Sequence, residues 1–466
     1  MSEGLVAKSA HDLAQLIRSR AVSAVEVTES HLAQIAQLNP ALNAIVTIAP
    51  DVLDRARERD SEAAAGNISG PLHGVPVTVK DTIATAGIRS TSGSRLLAEN
   101  FPAGDALVVE RLRSAGAIIL GKTNTPEMAI PYETDNLIFG RTNNPHDQDR
   151  TAGGSSGGEA AALAAQLSPA GIGSDLSGSI RAPAHFCGVA GLKPTTGLLP
   201  TDGHVPAPTG TLSLGACIGP MARRVIDLAL LLNVLRAAPA VDISEDEFAE
   251  QARQQLKSIR VAFYTDDGVA PVTSATARAV EITARVLADA GLEVRAERPP
   301  SVAAGSRLWI ELFSRAASQQ LYEFYRGREE EGGPGVKSIL RRREKVIGLA
   351  DKIEVAEDLA RAVVERERLR EDLLRWLKTT PLILSPVAAT PAFEHGTQRL
   401  EVEGQSISVF RAFSYAQTFN VFGLPAVSVP VARTEAGLPI GVQLAGGPFA
   451  ERAVLFAAAI VEQSMA

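Results

Sequence analysis

The chain has 466 residues, 45% of them apolar and 21% charged, with a formal net charge of −7 and two cysteines, Cys187 and Cys217. That length suits one large α/β unit or two to three smaller domains. The acidic balance argues against a nucleic-acid footprint, no apolar run approaches the roughly 20 residues of a membrane span, and two cysteines make neither a disulfide framework nor a four-ligand zinc site. Met1 to Ser9 lacks the basic and apolar regions of a signal peptide. The expectation is a reduced, cytoplasmic protein acting on a small molecule, with no metal and no cofactor.

Residues 10–37 carry helical apolar spacing (Leu13, Leu16, Ile17, then Val25, Leu32, Ile35), and Asn39-Pro40 reads as a helix stop. Val75, Val77 and Val79 alternate within Leu72–Val79, a buried strand. A helix over 106–115 and a strand over Ala117–Leu120 follow. After the Gly/Ser-rich stretch Ala152–Gly158 come an Ala-rich helix, 159–167, and a strand near 169–174. Arg223–Leu235 reads as a helix and Asp242–Gln251 as an acidic, solvated stretch. Arg260–Tyr264, 273–290 and Glu293–Ala296 form a further β-α-β unit. Residues 302–376 read as helical, with Glu329–Glu331 and Arg341–Arg343 as solvated charge runs. Strand signals return at Leu382–Leu384, Ala426–Val431 and Ile440–Leu444.

This alternation predicts an α/β fold: a large, mixed, mostly parallel twisted sheet with helices on both faces, in a single domain spanning 1–466. The catalytic core is expected at about 60–235 and 380–466, and a helical cap or flank at about 302–376.

Three segments bear chemistry. Gly153-Gly154-Ser155-Ser156-Gly157-Gly158 is not a P-loop, since Glu159 stands where a lysine belongs, nor a dinucleotide fingerprint, since it has no G-x-G-x-x-G. A structural turn remains open. Gly173-Ser174-Asp175-Leu176-Ser177-Gly178-Ser179-Ile180-Arg181 follows after one helix and one strand. A helix over 157–166 climbs about 15 Å, and a strand over 169–174 returns about 20 Å. Ser179 thus comes back to the level of Ser155. The third segment, Gly74–Asp81, ends an apolar strand on Lys80. Alone it reads as a snorkelling lysine paired with Asp81, yet strand carboxyl ends are where catalytic groups collect in open α/β sheets.

Together the three segments resemble the amidase signature family. So do Lys122-Thr123-Asn124, Gly219-Pro220-Met221-Ala222-Arg223, Gly423-Leu424-Pro425-Ala426 and Gly437–Gln443, and the resemblance covers nearly the whole chain, weakest over 240–380. It implies Ser179 as nucleophile, Ser155 as a second serine in a cis peptide bond and Lys80 as base. Backbone N–H groups of Leu176, Ser177, Gly178 and Ser179 would form the oxyanion hole. Met128, Ser156, Arg181, Trp309 and Phe313 are candidate substrate-binding residues. The family usually has Asp-Thr-Gly-Gly-Ser where this chain has Asp175-Leu176-Ser177-Gly178-Ser179. If position 177 requires positive φ, Ser177 carries a steric penalty.

A base at Lys80 must be neutral. Model lysine, with a pKa of about 10.4, is neutral in about one side chain in a few thousand at pH 7, and desolvation against Val77 and Val79 can supply a fall of about 3, on the order of 4 kcal/mol. No histidine lies in a nucleophile-elbow context, His185 reads as structural or pocket-lining, and Cys187, between Phe186 and Gly188, reads as a buried apolar residue. The expected activity is hydrolysis of hydrophobic or aryl amides, with esters and carbamates (urethanes) accepted by the same chemistry, in a monomer or homodimer. The alternative is the glutaminase subunit of a tRNA-dependent amidotransferase. The apolar and aromatic residues of 302–325 (Leu308, Trp309, Phe313, Tyr322, Phe324, Tyr325) favour the hydrophobic substrate.

Overall fold

The apolar runs that alternate with helical segments along the chain pair into one sheet. A computed structural model describes residues 3–239, 243–347 and 352–465. Asp242 and the side chains of Arg342 and Arg343, parts of the expected charged stretches, lie outside the described residues, as do Met1 and Ser2. Among the described residues the sheet has eleven strands. In chain order these are β1 (Ile45–Ile48), β2 (Pro76–Lys80), β3 (Ile118–Thr123), β4 (Ala170–Asp175), β5 (Ala190–Lys193) and β6 (Cys217–Ala222). They continue with β7 (Arg260–Phe263), β8 (Glu293–Ala296), β9 (Leu382–Pro386), β10 (Ala426–Arg433) and β11 (Pro439–Gly446). Their spatial order is β1-β3-β2-β4-β6-β5-β10-β11-β9-β7-β8.

The sheet is mixed, as expected, but parallel pairing is confined to β3-β2-β4 and β9-β7-β8. Antiparallel pairs join β1 to β3 and run continuously from β4 through β6, β5, β10 and β11 to β9. The expectation of a mostly parallel sheet fails there because β10 and β11 form a hairpin, which needs no crossover helix.

Helices flank the sheet. The C-terminal helix Glu451–Met465 packs on β10 and β11 and against helices Val225–Leu235 and Ser274–Asp289. Helices Gly157–Ala164 and Arg181–Cys187 pack against each other, the first on β4 and the second on β10 and β11. Helix Ala24–Leu42 begins at Ser23, whose hydroxyl and Glu26 form a capping box. It does not stop at Asn39-Pro40. It runs through Pro40, and the Asn39 side chain accepts from the amides of Ala44 and Ile45 at 2.9 Å, turning the chain into β1. The segment from Val302 onward is helical where described, including a π turn at Ile310–Ser314. No helix among the described residues is long and apolar enough to cross a membrane.

Candidate active site

The site lies at the carboxyl ends of β2 and β4. These strands are parallel neighbours with Val79 opposite Ile172, so Lys80 at the end of β2 falls beside Ser174. Lys80 is fully buried, not snorkelling, and Asp81 is held by the Thr91 amide and hydroxyl rather than by Lys80. Lys80 Nζ is 2.6 Å from Ser155 Oγ and 3.0 Å from Ser174 Oγ.

Ser155 sits where the glycine loop meets helix Gly157–Ala164, and the Gly154–Ser155 peptide bond is cis. Side chains are excluded around it: a Cβ on Gly158 would lie 2.4 Å from the Asn124 amide nitrogen, and one on Gly154 would lie 2.8 Å from the Pro131 carbonyl. Thr125 Oγ1 donates to the Ser155 carbonyl at 3.0 Å, and the Ser156 amide donates to the Ser179 carbonyl at 3.1 Å. The two serine loops are therefore joined through their backbones.

The loop after β4 is organised by Asp175. Its carboxylate accepts from the amides of Gly178 (2.8 Å) and Ile180 (3.1 Å), from Arg181 Nε and Nη2 (both 3.1 Å) and from Asn420 Nδ2 (2.9 Å). Burial pushes this carboxyl up, but the Arg181 charge and these donors hold it well below the usual range. The Gly178 amide, expected in the oxyanion hole, is thus already engaged. Among the described residues the amides of Leu176, Ser177 and Ser179 have no acceptor, and they remain the candidate oxyanion donors. The left-handed position in the loop is Gly178, φ 97°, not residue 177, so Ser177 carries no such penalty. The Ser177 hydroxyl instead bonds the Tyr132 hydroxyl, which also accepts from Gln417 Nε2 at 3.0 Å. The Leu176 carbonyl accepts from Trp309 Nε1 at 2.8 Å.

Burial lowers the Lys80 amine from 10.5 to about 7, against the opposing pull of Asp175 and Glu159. Glu159, buried one helical turn past Ser155, is pushed up to about 7 by desolvation, while hydroxyls of Thr78 (2.5 Å) and Thr123 (2.9 Å) donate to it. Lys122 falls to about 8 by burial and donates to the Ile83 carbonyl and to Thr85 Oγ1. His185 is structural: its Nδ1 accepts from the Gly441 amide and its Nε2 donates to the Thr390 carbonyl. The Cys187 thiol is buried and pushed up by desolvation.

Ser155 and Ser179 open onto a cavity of about 340 Å³. Met128 and Trp309 are in its wall, together with Tyr132, Leu321 and Phe410. Ser156, Arg181 and Phe313 are not. Ser156 is turned inward, donating to the Ser174 carbonyl at 3.3 Å. Arg181 is fully buried on Asp175, Asn420 and Gln443. Phe313 lies behind Trp309, against Gly215, where an added Cβ would approach it to 2.7 Å. Of the aromatic side chains expected from 302–325, Trp309 alone reaches this cavity among the described residues. Tyr325 instead donates to buried Glu127 at 2.7 Å. Asp175, paired as above, is the one charged residue in the wall among the described residues. Tyr132, His204 and Phe410 also border the cavity, and no motif pointed to them; Tyr132 stacks on Phe413 at 4.0 Å.

A fold of this topology with a buried lysine between two serine loops defines a serine amidohydrolase class, and a family model described as Amidase matches residues 26–455. The chain belongs to this family, the amidase signature enzymes. It is 34% identical to the amidase-type subunit of the glutamyl-tRNA(Gln) amidotransferase from Carboxydothermus hydrogenoformans, covering 98% of this chain and 97% of the relative. It is 32% identical to an acylamidase of Rhodococcus erythropolis, covering 97% and 94%. The solved structure of a bacterial aryl acylamidase superposes with a TM-score of 0.85 at 26% identity, over 98% of this chain and 96% of that one.

Proposed function

We propose that this chain hydrolyses uncharged hydrophobic or aryl amides through an acyl-enzyme on Ser179, and that esters and carbamates enter the same path. The observation that carries the reading is an amine held near neutrality, 2.6 Å from Ser155 Oγ, beside an apolar cavity. As Ser179 Oγ attacks the carbonyl carbon, its proton passes to Ser155 Oγ and the Ser155 proton passes to Lys80 Nζ. The carbonyl oxygen becomes an oxyanion facing the amides of Leu176, Ser177 and Ser179. The C–N bond breaks as Lys80 returns a proton through Ser155 to the leaving nitrogen. Water then attacks the acyl group by the same relay, and acid and free Ser179 are released.

The likeness to the amidotransferase protein supports a second reading, glutamine-dependent ammonia release to a partner. Free glutamine carries an ammonium and a carboxylate, and among the described residues the cavity wall has no unpaired charge to meet either, which weighs against that role. A series of acyl p-nitroanilides decides between them. Each buried methylene adds on the order of 0.8 kcal/mol, so kcat/KM climbs several-fold per carbon until the cavity is full. A flat series, with glutamine the better substrate, overturns the proposal.

A further inference from the structure

His204 lies behind the lysine, in the turn after β5. Its Nδ1 is 2.8 Å from the Pro206 carbonyl and its Nε2 is 2.9 Å from Ser174 Oγ. A carbonyl oxygen only accepts, so Nδ1 carries the hydrogen. Burial keeps the ring neutral at catalytic pH, and the neighbouring Lys80 opposes its protonation further. Nε2 is therefore an acceptor, and the single hydroxyl hydrogen of Ser174 is committed to it. Towards Lys80, at 3.0 Å, Ser174 is left able only to accept. A neutral amine has two hydrogens and one lone pair. With one N–H donated to Ser174, the lone pair is free to face the Ser155 hydroxyl at 2.6 Å.

We infer that His204 is a positioning residue that fixes the direction of the proton relay: through Ser174 it bars a competing hydroxyl from the Lys80 lone pair and reserves that lone pair for Ser155. The inference rests on the proposed Ser179–Ser155–Lys80 relay. Nothing is consumed in it, since His204 and Ser174 keep their protons throughout.

Replacing His204 with Phe frees the Ser174 hydroxyl to donate to the lone pair. A hydrogen bond to the neutral form of a base lowers its pKa. The charged groups acting on Lys80 from the adjoining elements, Asp175 and Glu159, are unchanged. The readout is the rate at which a fluorophosphonate labels Ser179 across pH 5–9, which needs no knowledge of the substrate. The expected result for H204F is a plateau about tenfold lower, the scale of one misdirected hydrogen bond, with the acid limb moved to lower pH. In an S174A background, where no competing hydroxyl exists, H204F has no further effect on the plateau. His204→Gln, which keeps an acceptor for Ser174, recovers most of the rate. Additive losses in S174A/H204F, or an acid limb that does not move, overturn the inference. If H204F does not fold, unchanged limbs in both H204Q and S174A, with equal plateaus, overturn it as well. Failure of wild type to label at Ser179, or normal labelling of Lys80→Met, would sink the relay reading itself instead.

Discussion

Substituting Lys80 with Met separates two consequences of one buried amine, one for rate and one for stability. The fall from 10.5 to about 7 corresponds to about 5 kcal/mol at about 1.36 kcal/mol per pKa unit. In the unfolded chain the lysine takes a proton as pH drops through its ordinary value, whereas in the folded chain it stays neutral down to about 7. Its burial therefore costs stability progressively from about pH 10.5 down to about 7, and the full cost holds below that. Met removes this cost and two hydrogen bonds, worth about 1 kcal/mol each, leaving the variant more stable by about 3 kcal/mol at pH 7. Thermal melts at pH 6.5, 8 and 10 should show the advantage of Met shrinking as pH rises. On the rate side, the neutral fraction is about 10% at pH 6 and about 90% at pH 8. Fluorophosphonate labelling of wild type should thus rise nearly tenfold per pH unit below 7 and flatten above, while Lys80→Met is slower by about 10³-fold and lacks that limb. A variant less stable than wild type at pH 6.5, or a wild-type limb near pH 10, would refute the reasoning, because Lys80 would then be charged in the fold.

Ser179→Ala should abolish labelling and turnover, and Ser155→Ala should lower labelling by about 10²-fold, water replacing the relay in part; mass spectrometry of the labelled peptide checks both. Arg181→Met leaves Asp175 buried without its cation and should cost about 3–5 kcal/mol, seen as a lower denaturation midpoint. Gly178→Ala forces a side chain into φ 97° with its Cβ 2.7 Å from Ala416 Cβ, so a loss of about 3 kcal/mol and of labelling is expected. Trp309→Ala should lower kcat/KM about tenfold for the longer acyl anilides and little for acetyl.

Segments with a strong period were legible in the sequence: Glu293–Ala296 stands where its apolar alternation put it, and helix Val225–Leu235 differs from the reading only at its start. Strand β6, Cys-Ile-Gly-Pro-Met-Ala, was not, because glycine and proline interrupt its pattern. Gly219 is there since a Cβ would lie 2.1 Å from the Leu192 carbonyl of the adjacent strand, a demand that only the paired sheet reveals. The three catalytic candidates were legible because each stands in a local motif, and the structure gathers the motifs at neighbouring strand ends. The cavity wall was not. Trp309, Tyr132 and Phe410 come from segments far apart in the chain and meet by tertiary packing, with Trp309 and Phe410 ring centres 5.1 Å apart. The Asp175 network also escaped the reading, since its donors Asn420 and Arg181 and the latter's partner Gln443 become neighbours only when β11 docks.

Lys80, Lys122, Asp175, Glu159 and Arg181 are all sealed from water. Dissolved ions screen charges by approaching them, over about 8 Å at physiological ionic strength, and hardly penetrate a packed interior. The charges around the two serines are thus balanced by one another and not by the medium. With an uncharged substrate, turnover should hold steady from dilute buffer to molar sodium chloride, while each step in acidity below neutrality is felt at once: the catalyst senses protons but not salt.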